Sequence, residues 1–275
     1  MQADAGRRCC SCDGDADRLV YFIPSPAAGQ APDLLDGDRI SILAADYIGQ
    51  LVRQLPAEVA SKAAVGVVQT AYANGASTRY LRETLGVKAR SQRTGTLLLR
   101  CQQPREKLGL QVAMAKTGVK HLHAAAEHFP LGVYFEANGH GTVLFHHGVL
   151  KDLESLAAAG DATAQRLLVL ARMINQAVGD ALSCILLVEA VLRLRRWTPS
   201  DWLALYSDLP SKNLKVVVPD RTFIKCSADE TRVVDPAPLQ AALDAEIAKY
   251  PQGRAFARPS GEPMQPDRSP HGTHL

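Results

Sequence analysis

Several things this sequence has little of set the first bounds on it. Residues 1–17 are polar and hold no apolar core of the kind a secretory leader carries. The best membrane candidate, residues 181–192, is about a dozen residues long and is interrupted by Glu189, well short of the ~20 that a spanning helix needs. A buried helix and a cytosolic setting are expected there, with no membrane partner. The six cysteines do not supply the two C-x2-C pairs of a zinc ribbon: Cys9, Cys10 and Cys12 crowd together, and Cys101, Cys184 and Cys226 stand singly. Without a secretion signal, reduced thiols are the default. Glycine and proline, 20 and 16 residues of 275, show no excess that would suggest disorder. No segment repeats.

Positive charge is also scarce once its location is considered. The net charge is +3, but residues 88–107 alone carry +5: Lys88, Arg90, Arg93, Arg100, Arg105 and Lys107 against Glu106. The rest of the chain is therefore at −2. A single basic stretch with no interleaved aromatics is a poor nucleic-acid footprint, and no nucleic-acid partner is expected.

What is present is the pattern of an α/β protein. Leu19 to Ile23 reads as a short strand. Ile40, Leu43, Tyr47, Ile48, Leu51, Val52 and Leu55 recur at helical spacing. Residues 64–69 read as a strand, Asn74-Gly75 as a turn, and Ser77 as the cap of a helix running to about Leu85. Residues 118–129 are predicted helical and 132–135 a strand, with extended structure again at 142–145. Helix dominates 161–196. Thr198-Pro199-Ser200-Asp201 has the form of a new helix start. Strands are expected at 214–218, 222–226 and 254–257, and a helix around Leu239, Ala242, Leu243 and Ile247. The reading is a metal-loop segment over 1–36, an α/β domain over 37–196 with a solvated insert at 88–110, and a partial C-terminal domain over 197–261. A boundary falls near 194–200, and a polar tail over 262–275 is too poor in apolar surface to fold.

Three short stretches carry chemistry. Asp13-Gly14-Asp15-Ala16-Asp17-Arg18 puts carboxylates on alternate residues of one loop, where they repel unless a cation is shared. A small hard cation with oxygen ligands resolves that conflict, and an exposed acidic turn is the plainer alternative. An EF-hand does not fit, since Arg18 stands at the sixth position and Pro24 at the twelfth. Glu136-Ala137-Asn138-Gly139-His140-Gly141 sets polar side chains on a glycine-rich loop that suits sugar hydroxyls, or equally makes a hairpin turn. Arg258-Pro259-Ser260-Gly261 can hold a phosphate with an arginine, a hydroxyl and backbone amides, or be an ordinary loop. His121 with His123, and His146 with His147, have the wrong spacing to share a metal on a helix or a strand.

Taken together, and in this order, these stretches resemble a known family. Residues 12–18 are similar to the metal loop of the α-D-phosphohexomutases. Residues 67–75 (VVQTAYANG), 116–123 (KTGVKHLH) and 134–142 (YFEANGHGT) resemble more specifically the phosphoacetylglucosamine mutases of that superfamily. The likeness runs from about Arg8 to Gly261, interrupted by the basic stretch.

The resemblance implies an α/β fold of mixed sheets layered with helices, plus part of a smaller α+β C-terminal domain. It implies an intramolecular phosphotransferase that interconverts N-acetylglucosamine 6-phosphate and N-acetylglucosamine 1-phosphate through a phosphoserine and Mg²⁺. Asp13, Asp15 and Asp17 would be the metal ligands. Glu136 and Asn138 would grip the sugar with His140 beside them, and Arg258, Ser260 and Gly261 would hold the non-reacting phosphate. Lys120, His121 and His140 are the candidate acid/base groups. The family's serine lies in a Thr-Ala-Ser-His-Asn-Pro-type motif before the metal loop, and no such motif occurs in these 275 residues. The chain is therefore expected to be inactive alone. A non-catalytic sugar-phosphate or partner-binding module is the alternative.

Overall fold

The computed structural model describes residues 7–85 apart from 26 and 28, then 88–90 and 110–260. Two compact units emerge, Met1–Lys212 and Asn213–Leu275.

The first unit opens with a three-stranded antiparallel sheet of β1 (Cys9–Cys12), β2 (Leu19–Ile23) and β3 (Asp33–Leu35). Sequence pattern identifies β2 alone, because β1 is polar and β3 lies in a segment that reads as turn. α1 (Gly37–Gln54) follows, with Asp36 as its N-cap accepting from the amide of Arg39. The short α2 (Ala57–Lys62) leads into the main sheet.

That sheet has the order β5-β6-β4-β7-β8, with β4 (Val65–Gln69), β5 (Lys88–Arg90), β6 (Gln111–Met114) and β7 (Leu131–Phe135) parallel, and β8 (Gly141–Phe145) antiparallel at one edge. β4, β7 and β8 are buried at every residue, as expected of strands covered on both faces. Alternate side chains divide between two cores. Val65, Val67, Leu131 and Val133 join α1, α6 (Ala162–Met173) and α7 (Ala181–Arg195). Val68 and Tyr134 pack on the other face with Leu122, Ala125 and Ala126 of α4 (Val119–Ala126). α3 (Gly75–Glu83) is capped by Asn74, not by the expected Ser77: the Asn74 side chain accepts from the amide of Ala76, while Ser77 donates to the carbonyl of Asn74. His146 is the N-cap of α5 (His147–Ala158), a helix that the sequence pattern does not announce.

The boundary expected near 194–200 lies inside this first unit. The capping box of Thr198 and Asp201 starts α8 (Pro199–Leu203), as the sequence indicates. Its Trp202 is fully buried and donates its indole N–H to the carbonyl of Arg39, 3.2 Å away. Buried Arg39 donates in turn to the carbonyls of Leu203 and Tyr206 and to Asp208. These bonds tie residues 202–208 to α1 and carry the first unit to Lys212.

The insert expected at 88–110 begins and ends in structure. Lys88–Arg90 pairs with β6, and Leu110 is fully buried. Residues 91–109 lie outside the described residues, as does the tail from 261.

The second unit has a two-residue strand β9 (Lys225–Cys226) paired with β10 (Val233–Asp235), followed by α9 (Ala237–Ile247). The strands expected at 214–218 and 254–257 do not form; Leu214, Val216 and Val217 are exposed. Only the end of the one expected at 222–226 is extended, because Arg221–Phe223 makes a 3₁₀ turn capped by Asp220. No helix of the described residues is long and apolar enough to cross a membrane.

Candidate metal and sugar-phosphate site

The metal loop is the turn of the β1–β2 hairpin. Ala16 takes φ of 57°, and its amide donates to the carbonyl of Asp13. The carboxylate Oδ1 of Asp13 accepts the amides of Asp17 and Arg18 at 3.2 and 3.1 Å. This curl brings carboxylate oxygens of Asp13, Asp15 and Asp17 within 4.8 Å of one another. Arg18 Nε stands 3.5 Å from Asp13 and 3.6 Å from Asp17.

The carboxylates differ in their surroundings. Desolvation works against Asp13, but the Arg18 and Asp17 amides outweigh it and hold its carboxyl below the usual range. Desolvation lifts Asp17 above its ordinary value; His140 opposes this, and the charges of Asp15 and Asp13 add to it. Asp17 Oδ1 is buried and accepts no hydrogen bond among the described residues. Three convergent carboxylates with one buried oxygen lacking a donor suit a hard divalent cation, so the residues present fit Mg²⁺.

The second loop, between β7 and β8, packs directly on the first. Leu19 donates its amide to the carbonyl of Gly139, and Arg18 and His140 form an antiparallel bridge. Contact this close needs a glycine. Gly139 has φ of +89°, and a Cβ there would lie 1.8 Å from the carbonyl oxygen of Leu19. Within the loop, Glu136 donates its amide to His140 O, Gly139 donates to Glu136 O, and His140 donates to Asn138 Oδ1. Gly37, at the start of α1, donates to Ala137 O.

A third segment joins them. Glu136 Oε1 accepts the amide of Gly118 at 2.9 Å, directly before α4. Lys120 and His121 lie in the first turn of that helix, Lys120 exposed and His121 half-buried. Sequence reasoning misses both the Gly118 tie and the approach of Gly179, just before α7. Ala181 donates its amide to Ala16 O, and a Cβ on Gly179 would lie 2.2 Å from the His140 ring. Gly-Asp ahead of an apolar run marks a helix start, but nothing in that signal says which loop it will touch.

The first unit thus gathers Asp13, Asp15, Asp17, Glu136, Asn138 and His140 on two interlocked loops, with Lys120 and His121 linked through Gly118. Arg258 and Ser260 belong to the second unit, and Gly261 lies outside the described residues. Arg258 Nε stands 3.7 Å from the buried carboxylate of Glu230, and Ser260 O accepts from Arg221 Nη1 at 2.8 Å. His123, which carries no assigned role, is bonded to Tyr134 Oη at 2.9 Å, a structural contact.

Comparison with known proteins bears on family and fold. The family model for phosphoacetylglucosamine mutase AMG1, domain III, matches residues 36–104 and 101–197. Phosphoacetylglucosamine mutase of Arabidopsis thaliana is 45% identical over 269 residues, 94% of this chain and 44% of that protein. The human phosphoacetylglucosamine mutase is 42% identical over 265 residues, 95% of this chain and 44% of the relative. The crystal structure of Aspergillus fumigatus N-acetylphosphoglucosamine mutase in complex with GlcNAc-6P and magnesium superposes with a TM-score of 0.79 at 43% identity, covering 95% of this chain and 44% of that one. The chain spans less than half the length of these relatives. By the extent of the family match and the agreement in fold, it belongs to the phosphoacetylglucosamine mutase family.

Proposed function

We propose that this chain supplies the magnesium loop and the sugar-recognition loop of a phosphoacetylglucosamine mutase, which interconverts N-acetylglucosamine 6-phosphate and N-acetylglucosamine 1-phosphate. The observation that carries the reading is the interlock of residues 13–18 with residues 136–141, which sets cation ligands and hydroxyl-binding groups side by side. Phosphoryl transfer depends mainly on positioning and charge neutralisation, the two tasks such an arrangement would serve with a cation bound. Asp13, Asp15 and Asp17 would hold Mg²⁺, which supplies that neutralisation when bound. Glu136 and Asn138 orient the sugar. A proton moves through Lys120, His121 or His140. Arg258, Ser260 and Gly261 hold the phosphate that is not reacting. The serine that carries the phosphoryl group would come from a segment outside these 275 residues. The setting is cytosolic, and the product feeds nucleotide-sugar synthesis.

Two measurements test this. Purified free of host mutase, the 275-residue chain is expected to show no turnover of N-acetylglucosamine 6-phosphate with Mg²⁺; turnover would remove the need for an external serine. Amide NMR spectra titrated with that sugar phosphate are expected to shift at Gly118 and residues 136–141, and Glu136→Ala with Asn138→Ala should abolish those shifts. Shifts that survive the double substitution would overturn the sugar-loop assignment and favour a binding module of another kind.

A further inference from the structure

The imidazole of His140 faces the metal loop. It sits on the sugar loop in sequence, but its Nδ1 lies 3.4 Å from Asp17 Oδ2 and its side chain is only 15% exposed. The opposite side of the ring is walled by backbone. A Cβ on Gly179 would come within 2.2 Å of Cδ2 and 2.3 Å of Nε2, so no larger residue fits at Gly179 while the ring stays in place. The His140 backbone is fixed from both directions, by its amide to Asn138 Oδ1 at 3.0 Å, by its carbonyl from the Glu136 amide at 2.8 Å, and by the bridge to Arg18. Gly179 is itself anchored near the loop, because Ala181 N donates to Ala16 O at 2.9 Å.

We propose that His140 is a positioning residue for the metal loop: wedged between Gly179 and Asp17, its ring engages one oxygen of Asp17 and leaves the other directed at the cation. The division of the carboxylate supports this. Oδ2 faces the imidazole, while Oδ1 is buried without a hydrogen bond. Partners of this kind orient ligating side chains, and their removal weakens metal binding by about 10–100-fold. Arg18 is the competing cation, 3.6 Å from Oδ1, and fixing Oδ2 on the imidazole keeps Asp17 from turning both oxygens toward it. Ring and glycine form a unit, and this assigns a role to Gly179 that its place before a helix does not suggest.

The inference rests on reading Asp13, Asp15 and Asp17 as cation ligands, and the test separates the two. Mn²⁺ binding to the full 275-residue chain is followed by water-proton relaxation, with competition by Mg²⁺. Asp13, Asp15 and Asp17 replaced together by Asn should lose binding; if they do not, the metal-loop reading fails. Given that loss, His140→Ala is expected to raise the Mn²⁺ dissociation constant about 10-fold or more. His140→Asn, whose amide nitrogen can occupy the Nδ1 position, should recover most of the affinity, while His140→Gln, whose amide nitrogen reaches further, should not. Gly179→Ala should weaken binding without touching any charged group. Melting curves without metal show whether each variant folds, and the Asn-against-Gln pair remains informative if His140→Ala does not. Equal affinities for Asn, Gln and wild type, or unchanged binding in Gly179→Ala, would overturn the proposal.

Discussion

The two units of the chain are built by different means. In the first, strands β4, β7 and β8 are buried along their whole length, and apolar side chains from helices on both faces close over them. In the second, Val233 is the one apolar side chain buried among the described residues. Polar bonds take over: Gln240 accepts the Val233 amide at 2.6 Å, Arg232 pairs with Asp244 at 2.7 Å, and Asp229 gathers Ser227 and Thr231. Small assemblies with little apolar burial are marginal, because hydrophobic burial is the main favourable term in folding. The sugar loop stands on the packed sheet, the metal loop on a more exposed hairpin bonded to it, and the Arg258–Ser260 stretch on the second kind of scaffold. A loop carried by a packed sheet keeps its geometry without ligand, whereas one held by polar turns gains more of its order from what it binds.

The contrast between the units is tested most forcefully at Trp202. Trp202→Ala removes a fully buried indole and its bond to Arg39, and should lower the stability of the first unit by ~3–5 kcal/mol in a denaturant titration. A loss below ~1 kcal/mol would mean that residues 202–208 are not part of that core. Next comes Gly139→Ala. A left-handed backbone costs an L-residue roughly 1–2 kcal/mol, and the overlap with Leu19 O forces the two loops apart. Calorimetry should show a lower melting temperature together with weaker Mg²⁺ binding; loss of stability alone would mean that the loops need not touch to bind metal.

In the second unit, Gln240→Leu leaves the Val233 amide without its buried acceptor, for a loss of about 1–3 kcal/mol. Hydrogen exchange should then accelerate at β9, β10 and α9 and stay unchanged in β4 and β7. Uniform acceleration would count against treating the units separately.

The smallest effect is a pH dependence. Burial pushes Asp36 up to about 6; the Arg39 amide opposes this and Asp208 adds to it. A carboxyl raised on folding adds stability that is fully present below its unfolded value near 4 and is lost as pH rises through about 6. The first unit should therefore melt a few degrees higher at about pH 5.5 than at about pH 7.5. Asp36→Asn, which keeps an N-cap oxygen, should flatten that difference; an unchanged slope would place the titrating group elsewhere.

Much of the first unit is legible in the sequence because its pattern is periodic. The apolar spacing from Ile40 to Leu55 marks α1, and Thr198-Pro199 marks α8. The carboxylates of Asp13, Asp15 and Asp17 alternate in a way that suggests a shared ligand from their spacing alone. What stays hidden in the sequence is contact between distant segments: Gly118 with Glu136, Gly179 with His140, Trp202 with Arg39. Nothing local distinguishes a glycine kept for a close approach from one kept for a turn. The second unit is misread for the opposite reason. Leu214, Val216 and Val217 have strand-like chemistry, but no partner strand pairs with them among the described residues, and propensity without a ladder does not make a sheet.

The proposed function requires the interlocked loops to bind metal and sugar phosphate side by side. The most direct measurement is anomalous diffraction from crystals of the chain grown with Mn²⁺ and N-acetylglucosamine 6-phosphate. An anomalous peak coordinated by Asp13, Asp15 and Asp17, with sugar density against Glu136 and Asn138, is the expected result. A metal held elsewhere, or sugar density away from residues 136–141 while the loops keep their described geometry, would contradict it.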